Sequence, residues 1–286
     1  MNNSTKLAGV IGWPVNESLN PIMYNAAFAA LGLNWAYLPL PVQPHQLEQA
    51  LKGLAVLQFV GVNVEAPHQQ AVIRYMDDLS DAARITGTVN TIHIRNRKFY
   101  GDNTDTIAFL KAMQEAGYDP QGLRIAVLGA GGAARAAVFS LAQAKAKHIT
   151  VFNRTSKRAA FLVDDLAEAF PTVSLAFAPL TKEALIELPS NVDMVINTTS
   201  VGMNPKSNAC PWPDEVSIPT NTTFYDLVYN PLDTQFLGQA RAAGQKTING
   251  LDMFVYQGAF AFDQWTGQEA PVEIMRQACQ SIILGR

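Results

Sequence analysis

The feature that most constrains this chain is a glycine-rich turn between a predicted strand and a predicted helix. The apolar run Arg124–Leu128 has the length of a buried strand and leads directly into Gly129-Ala130-Gly131-Gly132-Ala133-Ala134. In this G-x-G-x-x-A pattern, Gly129 permits a tight turn, Gly131 lets the backbone approach a pyrophosphate, and Ala134 keeps the helix close to the sheet. N–H groups at the start of the helix would hold the anion. The pattern therefore predicts a Rossmann-type dinucleotide site; the alternative is a turn that binds nothing.

The residues after the next predicted strand indicate which dinucleotide binds. NAD requires an Asp or Glu there to accept hydrogen bonds from the ribose hydroxyls, but the strand ends in Asn153-Arg154-Thr155-Ser156-Lys157-Arg158. Arg154 offers a planar pair of donors to a 2'-phosphate, and Arg158 lies one helical turn later on the same face. We therefore predict NADP rather than NAD, the alternative being a solvated basic start of a helix.

Composition and charge exclude several classes of protein. With 48% hydrophobic and 16% charged residues over 286 positions, the chain is expected to fold around sizeable cores. Its net charge of -3 provides no basic surface for nucleic acid or an anionic membrane. The two cysteines, Cys210 and Cys279, have no metal-site spacing and form no disulfide framework. We expect a cytoplasmic monomer or homodimer with a small-molecule substrate and no metal, nucleic-acid or membrane partner; the short N-terminal apolar run predicts neither a signal peptide nor a membrane span.

Short apolar runs alternate with helical patterns, which is typical of mostly parallel sheets. The patterns predict strands over Leu7–Ile11, Trp35–Leu40, Gly61–Val64, Thr88–Arg95 and Lys98–Asp102, with helices over Pro21–Leu31, Pro44–Leu54 and Thr104–Ala116. After a Pro- and Gly-containing linker at 117–122, they predict strands over Arg124–Leu128, His148–Phe152, Met194–Asn197 and Phe224–Leu227, with helices over Ala133–Ala144, Thr155–Phe170, Leu251–Trp265 and Val272–Leu284. The sequence therefore predicts two α/β domains, and periodicity does not assign the last two helices to either.

A series of motifs resembles the shikimate dehydrogenase family over essentially the whole chain. The motifs are Gly9–Val15 with Ser18 and Pro21, Gly61–Val64 with Pro67, Gly87–Thr91, Gly101–Asp105, Gly129–Ala133, Asn153–Thr155, Asn197–Met203, Tyr225–Pro231 and Gly250–Met253 with Gln257. The resemblance implies a substrate-binding domain over residues 1–105 that is completed by residues 251–286. It also implies a Rossmann NADP-binding domain over residues 120–249, a connecting helix and linker over residues 106–119, and an active site in the cleft.

The resemblance also implies roles for individual residues. Asp105 matches the aspartate of the catalytic pair, and Ser18 matches one of two serines that hold the substrate carboxylate. The implied substrate contacts are Ser18, Asn20, Glu65, Gln69, Asn90, Asp105, Tyr229 and Gln257. The implied cofactor contacts are Gly129, Ala130, Gly131, Gly132, Ala133, Asn153, Arg154, Thr155, Arg158, Thr198, Leu227, Gly250 and Met253, with the acidic Asp81 nearby.

The chain departs from the family pattern at the residues that would carry the chemistry. The family's Asn-Val-Thr-x-Pro-x-Lys is here Asn63-Val-Glu65-Ala-Pro-His68-Gln69, so Gln69 takes the place of the catalytic lysine and Glu65 that of a substrate-binding threonine. Asn20 takes the place of the second serine, and Thr88 that of an alanine. Gln69 cannot exchange a proton near neutral pH, and the loss of a positioned acid or base typically costs about 10²–10⁴-fold in rate.

These departures change the charge of the predicted pocket as well as its chemistry. The loss of lysine and the gain of Glu65 shift the local charge by two units toward negative, which disfavours a carboxylate substrate and favours an amine or a substrate without a carboxylate. Glu65 and Asp105 would share a proton if they lie close together, and His68 is a weaker candidate proton donor.

Three hypotheses about function follow. The first is an NADP-dependent oxidoreductase whose small, polar, cyclic substrate has changed from shikimate, with Asp105, Gln69 and Glu65 as the catalytic candidates. The second is a shikimate or quinate dehydrogenase in which another group replaces the lysine. The third is a non-catalytic protein that senses NADP or a metabolite.

Overall fold

The chain forms two compact units in a computed structural model that describes residues 2–188 and 191–285. The first unit comprises Met1–Ala108 and Val255–Arg286, and the second comprises Phe109–Phe254. Each unit is built on its own sheet of six strands among the described residues. The two sheets, whose strands alternate with helices along the chain, confirm the predicted α/β fold class.

The sheet of the first unit mixes parallel and antiparallel strands. Its strands are β1 (Lys6–Gly12), β2 (Trp35–Pro41), β3 (Phe59–Val64), β4 (Asp78–Leu79), β5 (Thr91–Arg95) and β6 (Lys98–Asp102). They lie in the order β2-β1-β3-β5-β6-β4, and β5 is antiparallel to both β3 and β6. The hairpin between β5 and β6 turns at Asn96 and Arg97, as predicted, and both residues have positive φ angles.

Helices cover this sheet and enclose its core. They are α1 (Asn20–Ala30), α2 (Leu47–Val56), α3 (His68–Ala71), α4 (Asp81–Thr86) and α11 (Val272–Ile283), together with parts of α5 (Thr104–Glu115) and α10 (Leu251–Thr266), which continue into the second unit. α11 packs against α1, so the last helix, which periodicity did not assign, belongs to the first unit. Aliphatic residues of α2, β3 and β5, among them Leu51, Val62 and Ile92, form a buried cluster.

The sheet of the second unit is entirely parallel. Its strands are β7 (Arg124–Leu128), β8 (His148–Asn153), β9 (Ser174–Pro179), β10 (Met194–Asn197), β11 (Thr223–Asp226) and β12 (Lys246–Ile248), and its further helices are α6 (Gly132–Gln143), α7 (Ser156–Ala169), α8 (Lys182–Ile186) and α9 (Gln235–Ala242). The spatial order β12-β11-β10-β7-β8-β9 reverses direction between β7 and β10. In sheets of this type, ligands bind beyond the carboxyl ends of the strands at that reversal. The glycine-rich turn after β7 lies there.

The structure differs from the predicted elements mainly at short segments. The predicted strand Thr88–Arg95 begins only at Thr91, because the preceding Thr88 and Asn90 side chains are held by hydrogen bonds to Asn103 and Thr104. The predicted helix Pro44–Leu54 begins as a 3-10 turn, and α2 starts at Leu47. Sequence patterns did not predict α3, α4, α8, α9, β4, β9 and β12. No described helix is long and apolar enough to cross a membrane.

Candidate functional site

Glu65, directly after β3, is held by two donors from the segment at the start of α1. Ser18 Oγ donates to Glu65 Oε1 at 2.6 Å, and Asn20 Nδ2 donates to the same oxygen at 3.0 Å. Gln257, on α10, donates to Asn20 Oδ1 at 3.3 Å. Burial raises the pKa of Glu65, while the hydrogen bonds from Ser18 and Asn20 lower it. Ser18 and Asn20, which were predicted to contact substrate, therefore donate to a carboxylate of the protein itself, and Gln257, predicted to do the same, donates to Asn20.

Asp105 lies in the first turn of α5, close enough to Glu65 for the two charges to interact. Burial raises the pKa of Asp105 to about 6; a hydrogen bond from Asn90 lowers it, and the charge of Glu65 raises it. Asn90 is itself fixed, because its Oδ1 accepts from Thr104 N at 2.8 Å and from Thr91 Oγ1 at 3.0 Å. This arrangement supplies a partly buried carboxyl group that exchanges a proton near neutral pH.

Gln69 and His68 lie in the short helix α3 beside this cluster. The Gln69 side chain makes no hydrogen bond with any residue that the structure describes, although its backbone oxygen accepts from Val89 N at 2.9 Å. The imidazole of His68 is 1% exposed and its Nε2 lies 2.7 Å from the backbone oxygen of Val42. His68 is thus engaged with the backbone, while the Gln69 amide is available to a ligand.

The glycine-rich turn of the second unit leaves space for a phosphate group. Gly129 has φ +116°, and a Cβ at this position would lie 2.6 Å from Thr198 Oγ1, so both the backbone angle and the contact require glycine. A Cβ on Gly131 would meet no atom within 4 Å. No described side chain caps the start of α6, so its first N–H groups donate to no capping residue and lie at the positive end of the helix dipole. The turn and α6 fit a pyrophosphate.

Two guanidinium groups lie beyond β8, where a 2'-phosphate would be bound. Arg154 and Arg158 are exposed and make no ion pair among the described residues. Lys157, between them in sequence, lies 5.5 Å from the Phe161 ring. Asn153 Nδ2 donates to the Thr155 backbone oxygen at 3.0 Å, which fixes the start of α7.

Asp226, at the end of β11, is an organising residue that the sequence analysis did not single out. Its carboxylate accepts hydrogen bonds from Asn197 Nδ2 at 2.9 Å, Val228 N at 3.0 Å and Thr234 Oγ1 at 2.6 Å. Burial raises the pKa of Asp226 to about 6, and these three donors lower it. The motif Tyr225–Pro231 contained the signal, an acidic residue at the end of an apolar strand, but one of its partners, Asn197, is 29 residues away in sequence.

The loops after β10 and β11 carry two predicted cofactor contacts, Thr198 and Leu227, and one predicted substrate contact, Tyr229. Thr198 Oγ1 donates to the Leu128 backbone oxygen at 2.7 Å, directly beside the glycine-rich turn. Gly250 packs against Leu227 so closely that a Cβ would lie 2.2 Å from the Leu227 backbone oxygen. The Tyr229 ring stacks on Phe254 with centroids 4.1 Å apart. Met253, in α10, is 6% exposed.

The strand order and the turn define the second unit as a Rossmann-type dinucleotide-binding domain. Comparison with protein families matches residues 10–92 to the shikimate dehydrogenase substrate binding domain, residues 111–204 to shikimate / quinate 5-dehydrogenase, and residues 250–280 to the shikimate 5'-dehydrogenase C-terminal domain. The shikimate dehydrogenase (NADP(+)) of Moorella thermoacetica is 46% identical over 272 residues, which cover 95% of this chain and 92% of the relative. The chain belongs to the shikimate dehydrogenase family, as the motifs predicted.

Comparison with solved structures also finds shikimate dehydrogenases, and it finds one relative that is named for a different activity. A shikimate dehydrogenase crystallised with NADP+ superimposes with a TM-score of 0.90 and 38% identity, covering 99% of this chain and 97% of that one. The ligand-free 5-ketofructose reductase of Gluconobacter sp. strain CHM43 superimposes with a TM-score of 0.87 and 33% identity, covering 98% and 100%. Among the residues that the structure describes, no group of three or more His, Cys, Asp or Glu side chains could hold a metal ion.

The raised pKa of Asp105 predicts a specific dependence of stability on pH. Because burial raises this pKa from 3.8 to about 6, the folded protein binds the proton more tightly than the unfolded chain, and this stabilisation is lost as the pH rises through about 6. Above that pH, the ionised and buried carboxylate destabilises the folded protein. An Asp105→Asn variant has no carboxylate to ionise and avoids this cost. Relative to the wild type, it should gain about 1–2 kcal/mol in free energy of unfolding between about pH 4 and about pH 7, allowing for partial exposure.

Urea unfolding at a series of pH values measures this difference. The exposed Asp164, on α7, provides the matched control, and Asp164→Asn should shift stability by less than about 0.5 kcal/mol across the same range. A stability difference between Asp105→Asn and the wild type that stays constant with pH would contradict the raised pKa.

Proposed function

We propose that this protein is an NADP-dependent oxidoreductase that interconverts an alcohol and a ketone on a small polyhydroxylated substrate without a carboxylate. The observation that supports this proposal is the position of the Glu65 carboxylate, which accepts hydrogen bonds from both Ser18 and Asn20. The family resemblance assigns these two positions to the substrate carboxylate. Glu65 therefore accepts the hydrogen bonds that the carboxylate of shikimate would need. Its negative charge also repels a second carboxylate in the same pocket.

The same geometry favours a substrate that carries hydroxyl groups. Glu65 Oε2 accepts no hydrogen bond from the residues that the structure describes, so it is available to a donor on the substrate. The Gln69 amide offers both a donor and an acceptor without charge. A neutral polyol or hydroxyketone satisfies both groups. The structural similarity to 5-ketofructose reductase supports this proposal, since 5-ketofructose is a neutral polyhydroxylated ketone.

The second unit supports NADP as the cofactor. The open start of α6 and the space beside Gly131 suit a pyrophosphate. The guanidinium groups of Arg154 and Arg158, which make no ion pair with any described residue, suit a 2'-phosphate. The relatives are named as NADP(+) enzymes. When bound, NADP accepts the hydride in alcohol oxidation or donates it in ketone reduction.

Asp105 is the group in this pocket that we propose exchanges the hydroxyl proton. In the oxidation direction, the C–H bond of the alcohol breaks with loss of hydride, the O–H proton passes to the Asp105 carboxylate, and the carbonyl forms. A pKa of about 6 places Asp105 near the operating pH, which suits a general base in one direction and a general acid in the other. Asn90 orients the carboxyl group, and Gln69 donates a hydrogen bond to the substrate oxygen.

A second candidate is shikimate oxidation itself, with Asp105 in place of the lysine. The observation that favours it is the 46% identity to a shikimate dehydrogenase over 95% of the chain. Under this hypothesis Glu65 is protonated when shikimate binds, because burial raises its pKa. Substrate turnover separates the two candidates.

The decisive experiment compares neutral and anionic ketones as substrates. With NADPH, kcat/KM for 5-ketofructose or a related neutral hydroxyketone should exceed that for 3-dehydroshikimate by at least about 10²-fold, since like charges in a pocket cost several kcal/mol. The double variant Glu65→Thr with Gln69→Lys should raise kcat/KM on 3-dehydroshikimate by about 10²–10⁴-fold, because it removes the competing carboxylate and restores a titratable cation.

The control is Glu17→Gln, which removes an exposed neighbouring carboxylate and should change either activity by less than about threefold. Efficient reduction of 3-dehydroshikimate by the wild type would establish the second candidate instead. An absence of turnover on every ketone, with NADPH still raising the unfolding temperature, would support a sensor.

Cofactor preference tests the role of Arg154 separately. Arg154→Ala should raise KM for NADPH by about 10–100-fold, because it removes charge-assisted hydrogen bonds to the 2'-phosphate, and should leave KM for NADH within about twofold. Lys182→Ala, which removes an exposed cation at the start of α8, is the control for general electrostatic effects. Equal losses with NADPH and NADH in Arg154→Ala would show that Arg154 does not contact the 2'-phosphate.

A further inference from the structure

The backbone on both sides of the Glu65 carboxylate is fixed by hydrogen bonds. Glu65 N donates to the Ile11 backbone oxygen at 2.8 Å, and His68 N donates to the Glu65 backbone oxygen at 3.0 Å. Gly12 packs so closely against this residue that a Cβ there would lie 3.2 Å from the Glu65 Cβ. The Glu65 side chain therefore starts from a rigid point of the first unit.

The orientation of the carboxylate is fixed as well, because both of its donors bind the same oxygen. Ser18 Oγ and Asn20 Nδ2 donate to Glu65 Oε1 at 2.6 and 3.0 Å. Gln257 Nε2 donates to Asn20 Oδ1 at 3.3 Å, so the NH₂ end of the Asn20 amide faces Glu65. Asn20 and Gln257 are both buried. These contacts hold Oε1 and leave Oε2 as the free oxygen of Glu65.

The Oε2 atom of Glu65 has no partner among the described residues, but it is not enclosed. It accepts no hydrogen bond there, and it retains contact with solvent on a side chain that is only partly buried. No ion pair in the described part of the chain includes Glu65. Asp105, whose pKa the charge of Glu65 raises, is itself acidic and supplies no counter-charge.

A partly buried carboxylate without a cation discriminates among three kinds of ligand group. It repels a carboxylate, and it accepts one neutral hydrogen bond from a hydroxyl group. A protonated amine donates a charge-assisted hydrogen bond and also neutralises the charge, which makes it the strongest of the three partners. Because the Glu65 carboxylate is already held in place, little ordering of the protein opposes this contact.

We propose that the Glu65 pocket binds polyhydroxylated amines, with the ammonium group donating to Glu65 Oε2, in preference to the corresponding alcohols. The ligand class is a small polyol or hydroxyketone that carries an ammonium group where shikimate carries its carboxylate. Neutral ketones still fit this pocket, and the ammonium group adds affinity. The identity of the pocket as the substrate site rests on the function proposed above; the preference of Glu65 for a cation does not.

The test uses two analogues of shikimate in which an aminomethyl or a hydroxymethyl group replaces the carboxylate. The two ligands have nearly the same shape and differ by one charge at neutral pH. In calorimetric titrations of the NADP-saturated, full-length protein, the aminomethyl analogue should bind at least about tenfold more tightly than the hydroxymethyl analogue.

Two variants assign the preference to Glu65. Glu65→Gln keeps the size of the side chain and removes its charge, so it should weaken binding of the aminomethyl analogue by about 10–100-fold and change binding of the hydroxymethyl analogue by less than about threefold. Retained binding of the hydroxymethyl analogue also shows that this variant is folded. Glu17→Gln, which removes an exposed carboxylate close in sequence to Ser18, is the matched control and should keep the preference.

Several results would overturn the proposal: equal or weaker binding of the aminomethyl analogue by the wild type, failure of both analogues to bind, or a preference that persists in Glu65→Gln. The wild-type comparison decides even if Glu65→Gln does not fold. A preference for the amine in a protein that reduces no ketone would support the proposal and count against the proposed function alone. Turnover of a neutral ketone without a preference for the amine would leave the proposed function standing and reject this ligand class.

Discussion

The hydrogen bonds that Ser18 and Asn20 donate to Glu65 determine the electrostatic character of the candidate pocket in the first unit. Both donors come from the segment before and at the start of α1, and Glu65 comes directly after β3, so the contact joins parts of the chain that are distant in sequence. Gln257 extends the contact to α10. A pocket whose own carboxylate satisfies these donors has a different electrostatic character from one in which they are free for a substrate anion.

Asp105 depends on that same carboxylate and on the buried network beneath it. Burial and the charge of Glu65 raise its pKa, and the Asn90 hydrogen bond opposes them. The balance leaves a carboxyl group that can exchange a proton near neutral pH without a lysine beside it. In the proposed mechanism, Gln69 is a neutral hydrogen-bonding group, and the acid–base chemistry passes to Asp105.

The sequence predicted the second unit better than it predicted the site. The glycine-rich turn is a local feature, since strand, turn and helix follow one another, and Gly129 adopts the positive φ angle that the motif requires. The negative charge introduced by Glu65 was also predictable from the motif. The partners of Glu65 were not, because hydrogen bonds to Ser18 and Asn20 depend on how β3 and α1 pack. Asp226 was missed for a related reason: Asn197, which donates to it from the end of β10, is brought beside it only by the pairing of β10 with β11. Short elements such as α4 and β12 carry too few residues for a periodic pattern.

If Glu65 makes the pocket favour neutral ligands, the preference is measurable as a difference in binding. Calorimetric titration of the NADP-saturated protein with shikimate and with its uncharged carboxamide compares two ligands that differ in one charge. We expect the carboxamide to bind at least about tenfold more tightly near neutral pH, and this preference to diminish as the pH falls and Glu65 is protonated. Tighter binding of shikimate than of the carboxamide near neutral pH would show that Glu65 does not repel a ligand carboxylate.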